Sequence, residues 1–349
     1  MKKFLATAGL LCLFPALCLS ANATTATFQI LADPIYTWTN FALSGDGSVM
    51  AANYGGEIYR WTAAGGFQDL GPGDSFDSSI GISRDGSTIV SGHVGLDTFT
   101  SPAMWDANGV VTDLGHPADG CYLLANSWGS AYGVSANGSI VVGLAWNCNG
   151  AEGFAWTAQS GNVSLGHPAG PHSSRASAIS ADGTTVVGFW EDPTGPRRPV
   201  LWKNNTHLLF LGASTLGEAL AVNSDGSKIV GQYVFPNGNG EAFLYSNKSY
   251  KLLGTLGQAA GNQSSANSVS DNGRVVGWST NPFGQEAFLY NSASGIKTVA
   301  SVLEHYGAII PAGTTLTNAL SISADGSTIV GSYVDSQRHV GNWMAHITK

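Results

Sequence analysis

One run recurs along most of this chain and limits what it can fold into. Its clearest form is Ser323-Ala324-Asp325-Gly326-Ser327-Thr328-Ile329-Val330-Gly331. The Asp-Gly or Asn-Gly centre appears at Asp46, Asp85, Asn137, Asp182, Asp225, Asn272 and Asp325, at spacings of 39, 52, 45, 43, 47 and 53 residues. Small and apolar residues alternate before each centre, as in Ala178-Ile179-Ser180 and Ser268-Val269-Ser270. A β-branched run follows and mostly ends in Gly, as in Val186-Val187-Gly188 and Ile229-Val230-Gly231. Asp-Gly or Asn-Gly between two such runs is a strong hairpin signal. Self-similarity at a period in the forties means one supersecondary unit repeated.

Each unit holds two further strands. An aromatic-rich third strand reads Ile58-Tyr59-Arg60-Trp61, Pro102-Ala103-Met104-Trp105, Gly153-Phe154-Ala155-Trp156 and Pro199-Val200-Leu201-Trp202, and later Ala242-Phe243-Leu244-Tyr245, Ala287-Phe288-Leu289-Tyr290 and Asn342-Trp343-Met344. A fourth ends in Leu-Gly at Leu70, Leu114, Leu165, Leu211 and Leu253, and the sixth copy departs with Ile296-Lys297-Thr298-Val299. Four strands at this period predict an all-β fold, a seven-bladed β-propeller of four-stranded blades. The seventh copy reaches Lys349 without a fourth strand. Ala26–Leu31 has strand character and is expected to close the last blade, which removes an open sheet edge.

Residues 1–23 read as a signal peptide: Lys2 and Lys3, an apolar run from Phe4 to Leu19, and the cleavage site Ala21-Asn22-Ala23. Residues 24–349 then form one propeller domain that is secreted or periplasmic, and no later segment is long and apolar enough to span a bilayer. Without Lys2 and Lys3, 13 basic residues face 23 acidic ones, a formal charge of −10. That charge opposes nucleic acid as a partner. Only 11% of residues are charged, so Ser, Thr, Asn and Gly must carry the surface. Outside the leader the cysteines are Cys121 and Cys148. In an exported chain they pair most simply as a disulfide, whose closed loop of 27 residues would contribute about 3 kcal/mol. Two separate buried thiols are the rival.

The Ser-x-Asp-Gly-x-x-Val-Val-Gly run, the Ala-Phe-x-Trp/Tyr strand and the Leu-Gly ending resemble the HAF repeats of bacterial extracellular proteins. The resemblance covers Phe41 to Ala345, although the His-Ala-Phe triplet stands as Glu-Ala-Phe at Glu241 and Glu286. It implies export and a repeated β architecture. It carries over no catalytic residue.

If the small-residue strand is innermost, the Asp-Gly turns share one monotonous face, and longer, variable loops share the other. Loops positioned by a rigid scaffold are where binding groups concentrate. Trp128, Trp146, Trp190 and Trp278 fall toward that face, with Tyr233 and Tyr333. Exposed aromatics suit sugar rings or apolar partners; packing between blades is the competing reading. The least repetitive loop is Trp190-Glu191-Asp192-Pro193-Thr194-Gly195-Pro196-Arg197-Arg198. Its acids and arginines could hold a carboxylated sugar, or form a solvated ion-pair loop. His93 and His172 are further candidates. His116-Pro117 and His167-Pro168 occupy matching places in successive copies, which suits a turn better than a single catalytic site.

The chain has no G-x-S-x-G or H-E-x-x-H motif and no EF-hand ligand series. No cofactor or metal is expected. The sequence therefore points to a monomeric exported propeller binding a glycan, surface polymer or protein through its loop face. An extracellular polysaccharide hydrolase or lyase using the same face is the alternative.

Overall fold

A computed structural model describes residues 24–31, 40–74, 79–94, 100–115, 129–147, 150–166, 173–191, 195–204, 207–212, 216–257, 259 and 261–348. They form seven four-stranded antiparallel sheets arranged as a ring of blades. The inner strands are 40–43, 81–82, 129–134, 174–179, 217–222, 264–269 and 315–322 for blades 1 to 7. In each blade the chain then steps outward strand by strand. Blade 7 takes its outermost strand from the other end of the chain. Thr25–Ile30 pairs antiparallel with Val340–Thr348, in a register from Thr25 opposite Thr348 to Ile30 opposite Trp343. The expected closure is present.

The repeated motif builds the hairpin between inner and second strands. In blade 1, Ser44 N donates to Val49 O, and Gly47 N donates back to Ser44 O. Only the glycine takes positive φ, 71° at Gly47, and the aspartate does not. A two-residue type I′ turn needs positive φ at both central residues. The connection is therefore a longer loop, and the Asp side chain fills it. Asp46 Oδ1 accepts from the Ser44 hydroxyl at 2.9 Å, from Ser48 N at 2.9 Å and from the Ser48 hydroxyl at 2.8 Å. The same pattern recurs at Asp85, Asp182 and Asp325. The Ser48 N–H at Asp46, and the Ser83 and Ser180 hydroxyls at Asp85 and Asp182, hold these carboxyls below the usual range.

The core lies between blades. Val142, Ala155 and Leu165 of blade 3 pack on Ala176, Val186 and Trp202 of blade 4, and the other apolar clusters join neighbours in the same way. The third-strand aromatics fill these layers; Trp105, Phe154, Trp202, Phe243, Phe288 and Trp343 are fully buried. The Leu of each Leu-Gly ending is buried as well, and its Gly turns away with positive φ, as at Gly115 and Gly166. In blade 6, Val299 takes the buried place and opens a helix, Val299–His305, capped by Thr298.

Candidate binding site at the central channel

The inner strands line a channel, and counting back from each turn's Asp or Asn sorts its wall into rings. Three residues before it stand Leu43, Ile82, Val134, Ile179, Val222, Val269 and Ile322, aliphatic in every blade. Five residues before it stand Phe41, Ile80, Tyr132, Ser177, Leu220, Asn267 and Leu320, where the copies differ most in chemistry.

That second ring has a structural cause. In blades 3 to 7 the ladder between inner and second strands slips by one residue at this place, and the unpaired residue is Tyr132, Ser177, Leu220, Asn267 or Leu320; blade 7 slips a second time at Thr317. A β-bulge of this kind redirects a side chain. The bulge needs room on the second strand, which the Gly of Val-Val-Gly supplies. A Cβ at Gly143, Gly188, Gly231, Gly277 or Gly331 would collide with the carbonyl oxygen of Ser130, Arg175, Glu218, Ser265 or Asn318 in its own blade's inner strand. Blade 1 has Ala52 at this place and a regular inner ladder. The glycine and the bulge thus form one device, five times repeated among the described blades.

The channel is tied off at the hairpin face. Residues before the turn Asp or Asn hydrogen-bond from blade to blade: Gly45 N to Arg84 O at 2.8 Å, Ala136 N to Ala181 O and Ala181 N to Ser224 O at 3.0 Å, and Asp271 N to Ala324 O at 2.8 Å. Inside this belt Arg84 reaches across from blade 2 to blade 6. Both terminal guanidinium nitrogens lie 3.1 Å from Asp271 Oδ2, and Nη1 also donates to the Ser224 hydroxyl. Asp271 Oδ1 accepts from Ser224 N at 2.9 Å. The deeper cavity, about 260 Å³, is bounded by these groups and the aliphatic ring.

Toward the loop face a second cavity of about 390 Å³ is lined by the variable ring together with Asn40, Ser79, Arg175 and Asn318. Arg175 is held between Tyr132 and Phe189, its guanidinium carbon 4.7 and 5.1 Å from the two ring centres. It donates from Nε to the Ser177 hydroxyl at 3.2 Å and from Nη2 to Glu218 Oε1. Arg197 stacks on Phe189 at 4.1 Å and pairs with Glu218 Oε2 and Glu191 Oε1, each at 3.2 Å. Two arginines and two carboxylates therefore form one neutral network beside the mouth.

Of the residues singled out in the sequence, Glu191 and Arg197 belong to this network. Arg198, the next residue along the strand, takes the opposite face of the sheet. Trp190 is buried, 6% exposed, in the cluster between blades 3 and 4 and edge-on to Phe210 of its own blade at 5.4 Å, so it is a packing residue and not an open platform. Trp146 and Trp278 are half-buried on the second strands of blades 3 and 6, and His93 stands edge-on to Trp105 at 5.9 Å. None of these four lines either central cavity. Trp128, Asp192, His172, Cys121 and Cys148 lie outside the described residues. Sequence inspection missed Arg175, Glu218, Tyr132, Ser177, Asn267 and Asn318. For Tyr132, Ser177 and Asn267 the available signal was the position five before the turn, which varies while the next position is small and the one after it aliphatic in every copy; Arg175, Glu218 and Asn318, seven before the turn, carried no such signal. Among the described residues no group of three His, Cys, Asp or Glu could hold a metal ion, and no helix is long and apolar enough to cross a membrane.

The fold and channel define a β-propeller. No family model and no curated protein matches the chain. Among solved structures it is similar to the propeller domain of the trilobed protease from Pyrococcus furiosus, with 10% identity over 88% of this chain and 95% of that one, TM-score 0.60. That domain has an open Velcro topology, whereas Thr25–Ile30 closes the ring here. The chain is also similar to the WD40 repeats of RRP9, with 13% identity over 92% and 98%, TM-score 0.52. Against TolB from Acinetobacter baumannii the identity is 12%, 66% of this chain and 63% of that one are covered, and the TM-score is 0.47. At these identities the likeness is one of fold.

Proposed function

We propose that this protein is an exported binding module that receives part of a glycan, surface polymer or protein in its central channel, entering from the loop face. The observation that carries this reading is the channel's asymmetry. Arg84 and Asp271 bridge one end, while the other opens into a cavity of about 390 Å³ ringed by chemically varied side chains. Concave sites with an apolar wall and a few convergent polar groups are what ligands use. Binding is favoured over hydrolysis by the arrangement of the acids. Glu191 and Glu218 both converge on the guanidinium of Arg197, and do not flank an open gap as a glycosidase pair must.

The test is a glycan and peptide array probed with the wild type and with Leu220→Trp, which fills the channel at a bulge. Ligands bound by the wild type should be lost in the variant at unchanged melting temperature. Array binding that survives Leu220→Trp would place the site elsewhere and sink the reading. Export and membership of the HAF-repeat group rest on the leader pattern and the repeated motif; N-terminal sequencing of secreted protein should begin at Thr24. A Cys121–Cys148 disulfide belongs to the same reading, and two alkylatable thiols in that material would exclude it.

A further inference from the structure

We infer that the channel mouth recognises the neutral ring of a hexopyranose. This rests on the binding reading above and names the ligand class for that site. The variable ring is divided by sector. Leu320, Phe41, Ile80 and Tyr132 come from blades 7, 1, 2 and 3, so they form one continuous apolar and aromatic arc. Ser177 and Asn267 come from blades 4 and 6, on either side of Leu220 of blade 5, and put the ring's polar groups across the channel from that arc. A sugar ring has the matching division: a C–H face that packs on apolar and aromatic surfaces, and an edge of hydroxyls.

The hydrogen-bond inventory on the polar side agrees. Asn267 Nδ2 donates to Asn318 Oδ1 at 2.8 Å and to Ala319 O at 3.0 Å. That leaves Asn267 Oδ1 as an acceptor and Asn318 Nδ2 as a donor, each without a hydrogen-bond partner among the described residues. Arg175 uses Nε and Nη2 on Ser177 and Glu218, so its Nη1 is a further donor. A mixed set of donors and acceptor suits hydroxyl groups, which do both. Charge decides against a uronate. Arg175 is the one cation lining this cavity among the described residues, no carboxylate lines it, and the charge of Arg175 is already met by Glu218. A ligand carboxylate would have to displace Glu218 or lie close to it.

The experiment is titration calorimetry with methyl α-glucoside, methyl α-mannoside and methyl β-galactoside, against glucuronate, galacturonate and an N-acetylated aromatic tripeptide. At least one neutral glycoside should bind at least tenfold more tightly than either uronate and the peptide. Asn267→Ala with Asn318→Ala should weaken it tenfold or more, and Leu220→Trp should abolish it, with Leu220→Phe as the milder block if the tryptophan variant does not fold. Tighter binding of a uronate or the peptide, lost in the Leu220 variants, would overturn the sugar assignment and leave the channel reading standing. Binding indifferent to Leu220, or no binding of any probe, would overturn the assignment; only indifference to Leu220 also counts against the channel.

Discussion

The pairing of second-strand glycine and inner-strand bulge can be broken by one methyl group. In Gly188→Ala the new Cβ would overlap the Arg175 carbonyl oxygen and crowd Ser177 N. Both are backbone atoms, so no side-chain rotamer relieves the clash. Ladder hydrogen bonds between 174–179 and 185–191 must give instead. Overpacking a tight site costs about 1–3 kcal/mol, and the loss of one or two ladder hydrogen bonds adds about 1 kcal/mol each. We expect a loss of about 3 kcal/mol, read from urea unfolding followed by circular dichroism. The reasoning makes a stricter demand as well. Deleting Ser177 in the Gly188→Ala background removes the bulge and gives blade 4 the regular ladder that blade 1 has opposite Ala52. That deletion should recover most of the lost stability. If Gly188→Ala costs under 1 kcal/mol, or if deleting Ser177 deepens the loss, the glycine is not there to admit the bulge.

Removal of Thr24–Leu31 should cost about 3 kcal/mol, since Phe28 stacks on the buried Trp343 at 6.2 Å and Ala26 is buried; an unchanged melting temperature would refute closure by this strand. Acid should destabilise the fold through the turn aspartates. Their folded values are depressed, so their contribution is complete above the ordinary value of 3.8 and is lost as pH falls through the lower folded values. Asp46→Asn with Asp85→Asn and Asp182→Asn should flatten the dependence of the urea midpoint below about pH 4; an unaltered slope would rule this out. The Arg84–Asp271 pair is 42% and 36% exposed, so a double-mutant cycle should give a coupling under about 1 kcal/mol, and a larger value would mean that the strut holds the ring together.

The fold was largely legible because its rules are local and repeated. Asp-Gly turns, β-branched runs and Leu-Gly endings each have one structural job, and seven copies make the pattern hard to misread. The closing strand followed from counting strands. The site was less legible because it is assembled across blades. Arg175 and Glu218 are 43 residues apart, and nothing in either stretch announces that they meet. Trp190 is packed away for a physical reason. Trp190 sits at the end of a second strand, where a large ring is more stable packed against Phe210 than left in solvent. Of the Glu191–Arg198 stretch, Glu191 and Arg197 join the network while Arg198 occupies the other face of the strand.

The bulge explains how such a uniform repeat can carry specificity. The residue before it is a fully buried alanine in every bulged blade: Ala131, Ala176, Ala219, Ala266 and Ala319. A small residue and then an aliphatic one follow it, and these keep the packing between blades. The bulged residue is left out of the ladder, so its side chain can change without altering strand register. Blades 1 and 2 differ. Phe41 and Ile80 pack into inter-blade clusters and are bound by the core, whereas Tyr132, Ser177, Leu220 and Asn267 are not part of any. Ligand preference should therefore be alterable at blades 3 to 6 with little effect on stability. Ser177→Ala and Leu220→Gln should shift binding while leaving unfolding within about 1 kcal/mol of the wild type. Phe41→Ala, by contrast, should cost about 3 kcal/mol or more. The repeated turn that dominates the sequence fixes where each side chain points, and the five bulges leave open which side chain it is.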